Sequence, residues 1–459
     1  MAVKIQGGLV VDGTGKPAQK MDVVFDGDQI SYVGNEYSGS LDDVIDAQHL
    51  IVAPGFIDVH SHADFGILSW PQMSAKLLQG VTTDIVGNCG LGFFPVNEFV
   101  AGYYDSIVKN LLGMEVSRFE RLRDFMGAIE HQGVGPNLAF LVPQGNVRAF
   151  VMGLEEGNPT ADQLAEMQNI VSEGMQDGAY GLSTGLVYPP GSNSTTAELV
   201  ELCKVVAQFG GIYTSHVRDE GAGYLTALQE AVDIGRQSGC RVEISHVKIA
   251  IPFVQMKRLR SVVELLNRAR NEGVALTADL YPYTSSDTEL SIMVLRPWVF
   301  EGGIEKLQER LRDPVNRSRI INDFLDTVFT QFKMPAILNI FPRKTLAKLI
   351  LSVVKNRTRV VAVKYHHELE GLTLGEIIRN KYPKRDVFNA AMDFLADEDA
   401  SITISPELMK QKTIDQLIKL PYMMVGSDSI VPVEGNAHPR SFGTFPRVLH
   451  DIVGRGVLP

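Results

Sequence analysis

The stretch Pro54-Gly55-Phe56-Ile57-Asp58-Val59-His60-Ser61-His62-Ala63-Asp64 decides how the rest of the chain is read. It has the form of a short buried strand running into a His-x-His pair. Alternation along a strand turns His60 and His62 to one face, and Val59 and Ser61 to the other. Two imidazoles on one face at a strand end can share a metal ion. Such a pair is also common as ordinary structure, so the weight falls on what other strands carry at the same end.

From Gly55 onward the pattern repeats as strand, loop, helix. Apolar runs follow at Val81–Val86, Leu138–Val142, Ala179–Ser183, Ile212–His216, Arg241–His246, Ala275–Tyr281 and Tyr422–Asp428, which with the first makes eight. Amphipathic helical patterns lie between them at Thr160–Asp177, Thr195–Gln208, Tyr224–Ser238 and Phe253–Asn271, with Asn193-Ser194-Thr195 offering a cap to the second. Eight βα units predict a closed (β/α)8 barrel in the α/β class, with an open doubly wound sheet as the alternative. The barrel is placed at 55–459. An insertion at about 285–420 breaks the rhythm between strands seven and eight. It is helix-rich and basic in places (Arg343, Lys344, Lys348, Lys355, Arg357, Arg359, Lys364). Residues 1–54 read as a small all-β domain, with runs at Val3–Ile5, Gly8–Gly13, Asp22–Gly27 and Ile30–Gly34 punctuated by Asp-Gly and Gly-Asn turns.

Polar residues of metal-binding type end these strands. His60 and His62 end the first, Cys89 follows the second in Gly87-Asn88-Cys89-Gly90, His216 ends the fifth, His246 the sixth and Asp428 the eighth. In a parallel barrel all those ends face one mouth. Thiolate, imidazole and carboxylate together suit Zn²⁺. Singly, each has a plainer explanation as a small buried thiol or a capping group. Six at one mouth do not share it.

Bulk properties narrow the function classes. The 459 residues are 45% hydrophobic and 21% charged, as in an ordinary soluble protein. The net charge of −11 disfavours nucleic acid and anionic membrane as partners. No run reaches about 18 apolar residues, so no membrane span is expected. Three cysteines, Cys89, Cys203 and Cys240, fit a reducing cytoplasm better than a disulfide framework.

The motifs Gly55–His62, Gly80-Val81-Thr82-Thr83, Gly87–Gly90, Gly181–Pro190, Thr214–Glu220, Ile244–Lys248, Tyr281–Thr284, Gly426–Asp428 and His438–Arg447 resemble the amidohydrolase superfamily. Within it they resemble the N-acyl-D-amino-acid deacylases, the D-aminoacylases. The resemblance implies a zinc-dependent hydrolase acting on linear amides, which releases a carboxylate and a free D-amino acid from a small N-acyl-D-amino acid. It implies one tightly bound Zn²⁺ on Cys89, His216 and His246. It further implies a second, weaker position on His60, His62 and Asp428. Many amidohydrolases bridge two metals with a strand-four lysine; that strand has none here, and Cys89 is expected in the bridging place. Asp428 is expected as general base toward a metal-activated water, and Lys248, Tyr283 and Tyr188 as substrate contacts.

Two departures stand out. Gln144 replaces the histidine usual in the strand-three motif, and Arg343–His367 is longer and more basic than in typical members. The chain also ends ten residues after Leu449, where members continue into a last helix and back into the β-domain. That predicts open strand edges and a tendency to form a homo-oligomer. The alternatives are a D-selective dipeptidase, a cyclic-amide hydrolase of the hydantoinase or dihydroorotase type, and a truncated non-catalytic barrel serving as an interaction module.

Overall fold

A computed structural model describes residues 1–103, 118–221, 223–249, 255–300, 303–331, 342–430 and 437–459. The chain forms two units, Met1–Phe56 and Ile57–Pro459.

In the first unit the chain runs through β1 (Ala2–Val10), β2 (Gln19–Asp26), β3 (Gln29–Gly34), β4 (Asp43–Asp46) and β5 (Ile51–Val52). β1 is central, antiparallel to β2 and parallel to β4 and β5. β3 folds back on β2 through a turn in which Gly27 takes the left-handed φ of 62°. The separate runs expected at Val3–Ile5 and Gly8–Gly13 are a single strand. Gly7, at a φ of 70°, carries a register shift between Ile5 and Gly8 that leaves the pairing with β2 otherwise unbroken.

The second unit is a (β/α)8 barrel. Its strands are β6 (Phe56–Asp58), β7 (Val81–Val86), β8 (Asn137–Pro143), β9 (Gly181–Gly185), β10 (Ile212–His216), β11 (Arg241–Ile244) and β12 (Leu276–Leu280). After the short strands β13 (Thr288–Glu289), β14 (Thr358–Val363) and β15 (Ile402–Pro406), the barrel resumes with β16 (Met423–Val425). The sheet order is β6-β7-β8-β9-β10-β11-β12-β16. The helices fall where the periodicity places them. Ala161–Gln176 starts at a capping box between Thr160 and Gln163, and Thr196–Gln208 is capped by the Thr195 side chain. Tyr224–Ser238 and Gln255–Asn271 follow; Phe253 and Val254 lie outside the described residues.

The segment between β12 and β16 holds helices such as Gly303–Arg312, Arg343–Val354 and Val387–Asp397. It also contains an antiparallel sheet, β13-β15-β14, that the helical reading does not include.

The seam between β6 and β16 has no ladder among the described residues. It closes with one bridge, Ser61 to Ser429, and with hydrogen bonds from Asp428 N to His60 O (2.7 Å) and from His62 N to Ser429 O (3.0 Å). Beneath it Lys76 is wholly buried, on the short helix Ser74–Leu77. Its Nζ lies 2.5 Å from Asp58 Oδ2, 2.8 Å from Asp84 Oδ1, 2.9 Å from Ser61 Oγ and 3.1 Å from Ser427 Oγ. One ammonium therefore ties the ends of β6, β7 and β16 together. Removing one partner of a buried ion cluster strands the others. Lys76→Met is expected to cost about 3 kcal/mol, read as a fall of several degrees in the unfolding midpoint. An unchanged midpoint would show that the cluster is not needed to close the seam.

Candidate metal centre

Strand ends deliver the side chains to one mouth of the barrel. His216 is the last residue of β10, while His246 lies two residues beyond β11 and Asp428 three beyond β16. Cys89 sits in the tight turn Asn88–Gly90 after β7. β6 stops at Asp58, so His60 and His62 lie past the strand and not in its pleat, which corrects the alternation argument. They are held instead by the seam, with ring centroids 5.7 Å apart.

Cys89 Sγ is 3.4 Å from His60 Nε2 and 3.5 Å from His246 Nε2. His246 Nε2 is 3.0 Å from His216 Nδ1. Asp428 Oδ1 is 3.5 Å from His60 Nε2 and 3.4 Å from His62 Nε2. One donor atom from each of His60, Cys89, His246 and Asp428 falls within 4.8 Å of the others, and all four residues are buried. A tetrahedral zinc, with about 2.3 Å to sulfur and about 2.0–2.1 Å to nitrogen, spaces its donors roughly 3.3–3.6 Å apart. The spacing and the soft-plus-imidazole donor set fit that ion.

The backbone bends at the same places. Cys89 (φ 56°), His246 (φ 35°) and Asp428 (φ 51°) all adopt positive φ, a rare state for residues with a Cβ that concentrates at functional sites. Close approach of the Cys89 turn to neighbouring strands needs glycine. A Cβ on Gly90 would meet Gly185 N at 2.8 Å, and one on Gly185 would meet the Cys89 carbonyl oxygen at 2.2 Å. Gly90 N donates to Ser183 Oγ at 3.0 Å.

The charges are arranged for a cation. Burial opposes ionisation of Cys89, but His60, then hydrogen bonds with His216 and His246, hold its thiol well below the usual range. The thiolate is the ligating form. Burial likewise opposes charge on Asp428 and is outweighed first by Arg440, leaving the carboxyl well below the ordinary value. Burial, with Lys248 and His216 nearby, keeps His246 neutral.

Several groups outside the expected set hold these side chains. Asp279 on β12 accepts from His246 N at 3.0 Å through Oδ1, and its Oδ2 is 2.9 Å from His60 Nδ1. Arg440 Nη1 donates to Asp428 Oδ2 at 2.7 Å, and its guanidinium lies 5.1 Å from the Tyr281 ring centroid. A lone acid amid the apolar run Leu276–Leu280 was the available signal for Asp279, and the His438-Pro439-Arg440 motif the one for Arg440.

The expected substrate contacts divide. Lys248 is buried at the mouth, with Nζ 2.9 and 3.2 Å from the two Glu220 carboxylate oxygens. Tyr188 packs edge-on to His216 and donates to the Cys89 carbonyl at 2.9 Å, which ties it to the metal-ligand turn. Tyr283 donates to the Pro439 carbonyl at 3.2 Å beneath the Arg447 guanidinium. Gln144 is buried and donates to Ser194 Oγ (2.7 Å) and Glu198 Oε1 (3.2 Å).

Residues 43–287 match the model of the amidohydrolase family. The chain is 30% identical to a D-aminoacylase of Alcaligenes xylosoxydans xylosoxydans over 99% of its own length and 80% of the relative's. The chain belongs to the amidohydrolase family. Its place is with the N-acyl-D-amino-acid deacylases, which makes it a hydrolase of carbon–nitrogen bonds in linear amides. Solved structures agree with the fold of this amidohydrolase. The N-acyl-D-glutamate deacylase of Bordetella bronchiseptica, complexed with zinc and a phosphonate mimic of the tetrahedral intermediate, superposes with a TM-score of 0.77. That match has 27% identity and covers 99% of this chain and 82% of the other. A D-aminoacylase with a binuclear metal centre, activated by one metal and attenuated by the second, gives the same TM-score and identity over 100% and 82% of the two chains. No helix among the described residues is long and apolar enough to cross a membrane.

Proposed function

We propose that this amidohydrolase is a zinc-dependent deacylase of N-acyl-D-amino acids, releasing a carboxylate and the free D-amino acid. The observation that carries the reading is the convergence of the Cys89 sulfur on His60 Nε2 and His246 Nε2 at 3.4 and 3.5 Å. No lysine stands at the end of β9, and the resemblance to the deacylases implies that the Cys89 thiolate would take the bridging place instead. Cys89, His216 and His246 would hold the tight zinc, and His60, His62 and Asp428 the weaker position. Bound zinc supplies a Lewis acid that acidifies a water and polarises an amide carbonyl.

The remaining work falls to the chain's own groups. Arg440 fixes Asp428 by one oxygen, which leaves the other facing the histidine pair. That free oxygen takes the proton of the attacking water and returns it to the leaving nitrogen. Lys248 offers the cation for the substrate α-carboxylate, and Tyr283 is the second contact that the likeness to the deacylases implies. Tyr188 serves the site by holding the Cys89 turn. The D-configuration follows from the likeness to the deacylases.

The test is release of free amine from matched N-acetyl-D- and N-acetyl-L-amino acids, acidic and apolar side chains included, by zinc-loaded protein. Cleavage of at least one D-substrate, with its L-partner slower by tenfold or more, is expected. Failure on every D-substrate would overturn the reading.

A further inference from the structure

Resting on the zinc site just proposed, we propose that Glu220 is a positioning residue of that site: one carboxylate faces the outward nitrogens of both His216 and His246, while Lys248 holds it from the other side.

The inward nitrogens of the two rings are His216 Nδ1 and His246 Nε2, which lie 3.0 Å apart. Their opposite nitrogens turn to one atom. His246 Nδ1 is 3.4 Å from Glu220 Oε1, and His216 Nε2 is 3.6 Å from the same oxygen. A neutral imidazole that gives one lone pair to a metal carries its proton on the other nitrogen, and that N–H needs an acceptor. His246 is 2% exposed, and its Nδ1 has no hydrogen-bond partner at the present distance. A closure of a few tenths of an ångström brings Glu220 into hydrogen-bond range. The chain itself supplies the placement, because Glu220 follows His216 by four residues in the turn leaving β10.

The acceptor is anchored by a cation, with Lys248 Nζ at 2.9 and 3.2 Å from its two oxygens. A metal ion on His216, Glu220 and His246 is the competing arrangement, since their donor atoms lie within 4.8 Å of one another. The Lys248 ammonium excludes it. At 2.9 and 3.2 Å from the two carboxylate oxygens it already fills the cation's place, and a divalent ion would meet a positive charge at contact. The same logic serves the other ring, where Asp279 Oδ2 stands 2.9 Å from His60 Nδ1. Glu220 thus joins the ligand histidines to the lysine proposed to receive the substrate carboxylate.

The test measures zinc affinity by chelator competition, without substrate, on metal-stripped wild type, Glu220→Leu, Glu220→Gln and Lys248→Met, alongside the unfolding midpoint of each metal-free protein. Glu220→Leu is expected to weaken zinc about 10- to 100-fold, as outer-shell losses do, while the metal-free protein stays folded with a midpoint lowered by the loss of the carboxylate paired with Lys248. Glu220→Gln keeps an oxygen acceptor and should recover part of the affinity. Lys248→Met removes the group that holds Glu220 from the other side and should weaken zinc by less than Glu220→Leu does. Zinc affinity in Glu220→Leu within threefold of wild type would overturn the inference alone. If that variant does not fold, wild-type zinc affinity in both Glu220→Gln and Lys248→Met would overturn it. A wild type that binds no zinc would overturn both the inference and the function beneath it.

Discussion

Asp428→Asn is expected to lower kcat by about 10³–10⁴-fold while zinc content stays as in wild type. Asparagine keeps the shape and the contact with Arg440 but cannot take a proton from water. General acid–base catalysis is worth about 10²–10⁴ in rate. The upper part of that range applies because Asp428 is buried, with one oxygen fixed by Arg440 at 2.7 Å and the other 3.4 Å from His62. No second carboxylate among the described residues shares the four-residue cluster of His60, Cys89, His246 and Asp428. KM should change little, since Lys248 and not Asp428 is assigned the substrate carboxylate. Paired kcat and KM measurements with elemental analysis check this. A kcat within tenfold of wild type would remove Asp428 from the proton transfer, and loss of zinc would make it a ligand first.

Cys89→Ala should go further, taking both metal and rate. Four-ligand structural zinc sites are worth about 10–16 kcal/mol, so one thiolate carries roughly a quarter, or about 10²–10³ in affinity. The actual loss should be at the upper end, because the sulfur lies within 3.5 Å of ligands from both proposed metal positions. At micromolar protein the expected zinc per chain is near zero, with activity at background. Since the turn is also pinned from Tyr188 and Ser183, the fold should survive. Circular dichroism and an unfolding midpoint separate loss of metal from loss of structure.

Much of this was legible in the sequence because barrels put chemistry at strand ends. Ile212–His216 and Val81–Val86 are found where the apolar runs place them, so the positions of His216 and Cys89 needed only the strand order. What escaped did so for physical reasons. β13 is two residues long and pairs with a strand more than a hundred residues later, a non-local contact that no local pattern announces. The bulge at Gly7 looks like a strand break, because glycine marks both. Asp279, Arg440 and Glu220 were not singled out because their work is done through other side chains. The positive φ values at Cys89, His246 and Asp428 had no signal at all: none is glycine, and tertiary contacts impose the bend.

The most direct test is a zinc titration. Metal-stripped protein receives increasing equivalents of zinc, and the rate of amine release from a cleaved N-acetyl-D-amino acid is followed. The rate should climb from background to a plateau at about one equivalent per chain, as a single tight site on Cys89, His216 and His246 requires. Full activity in the stripped protein, or no activity at any zinc level from a folded sample, would contradict zinc-dependent hydrolysis at this centre.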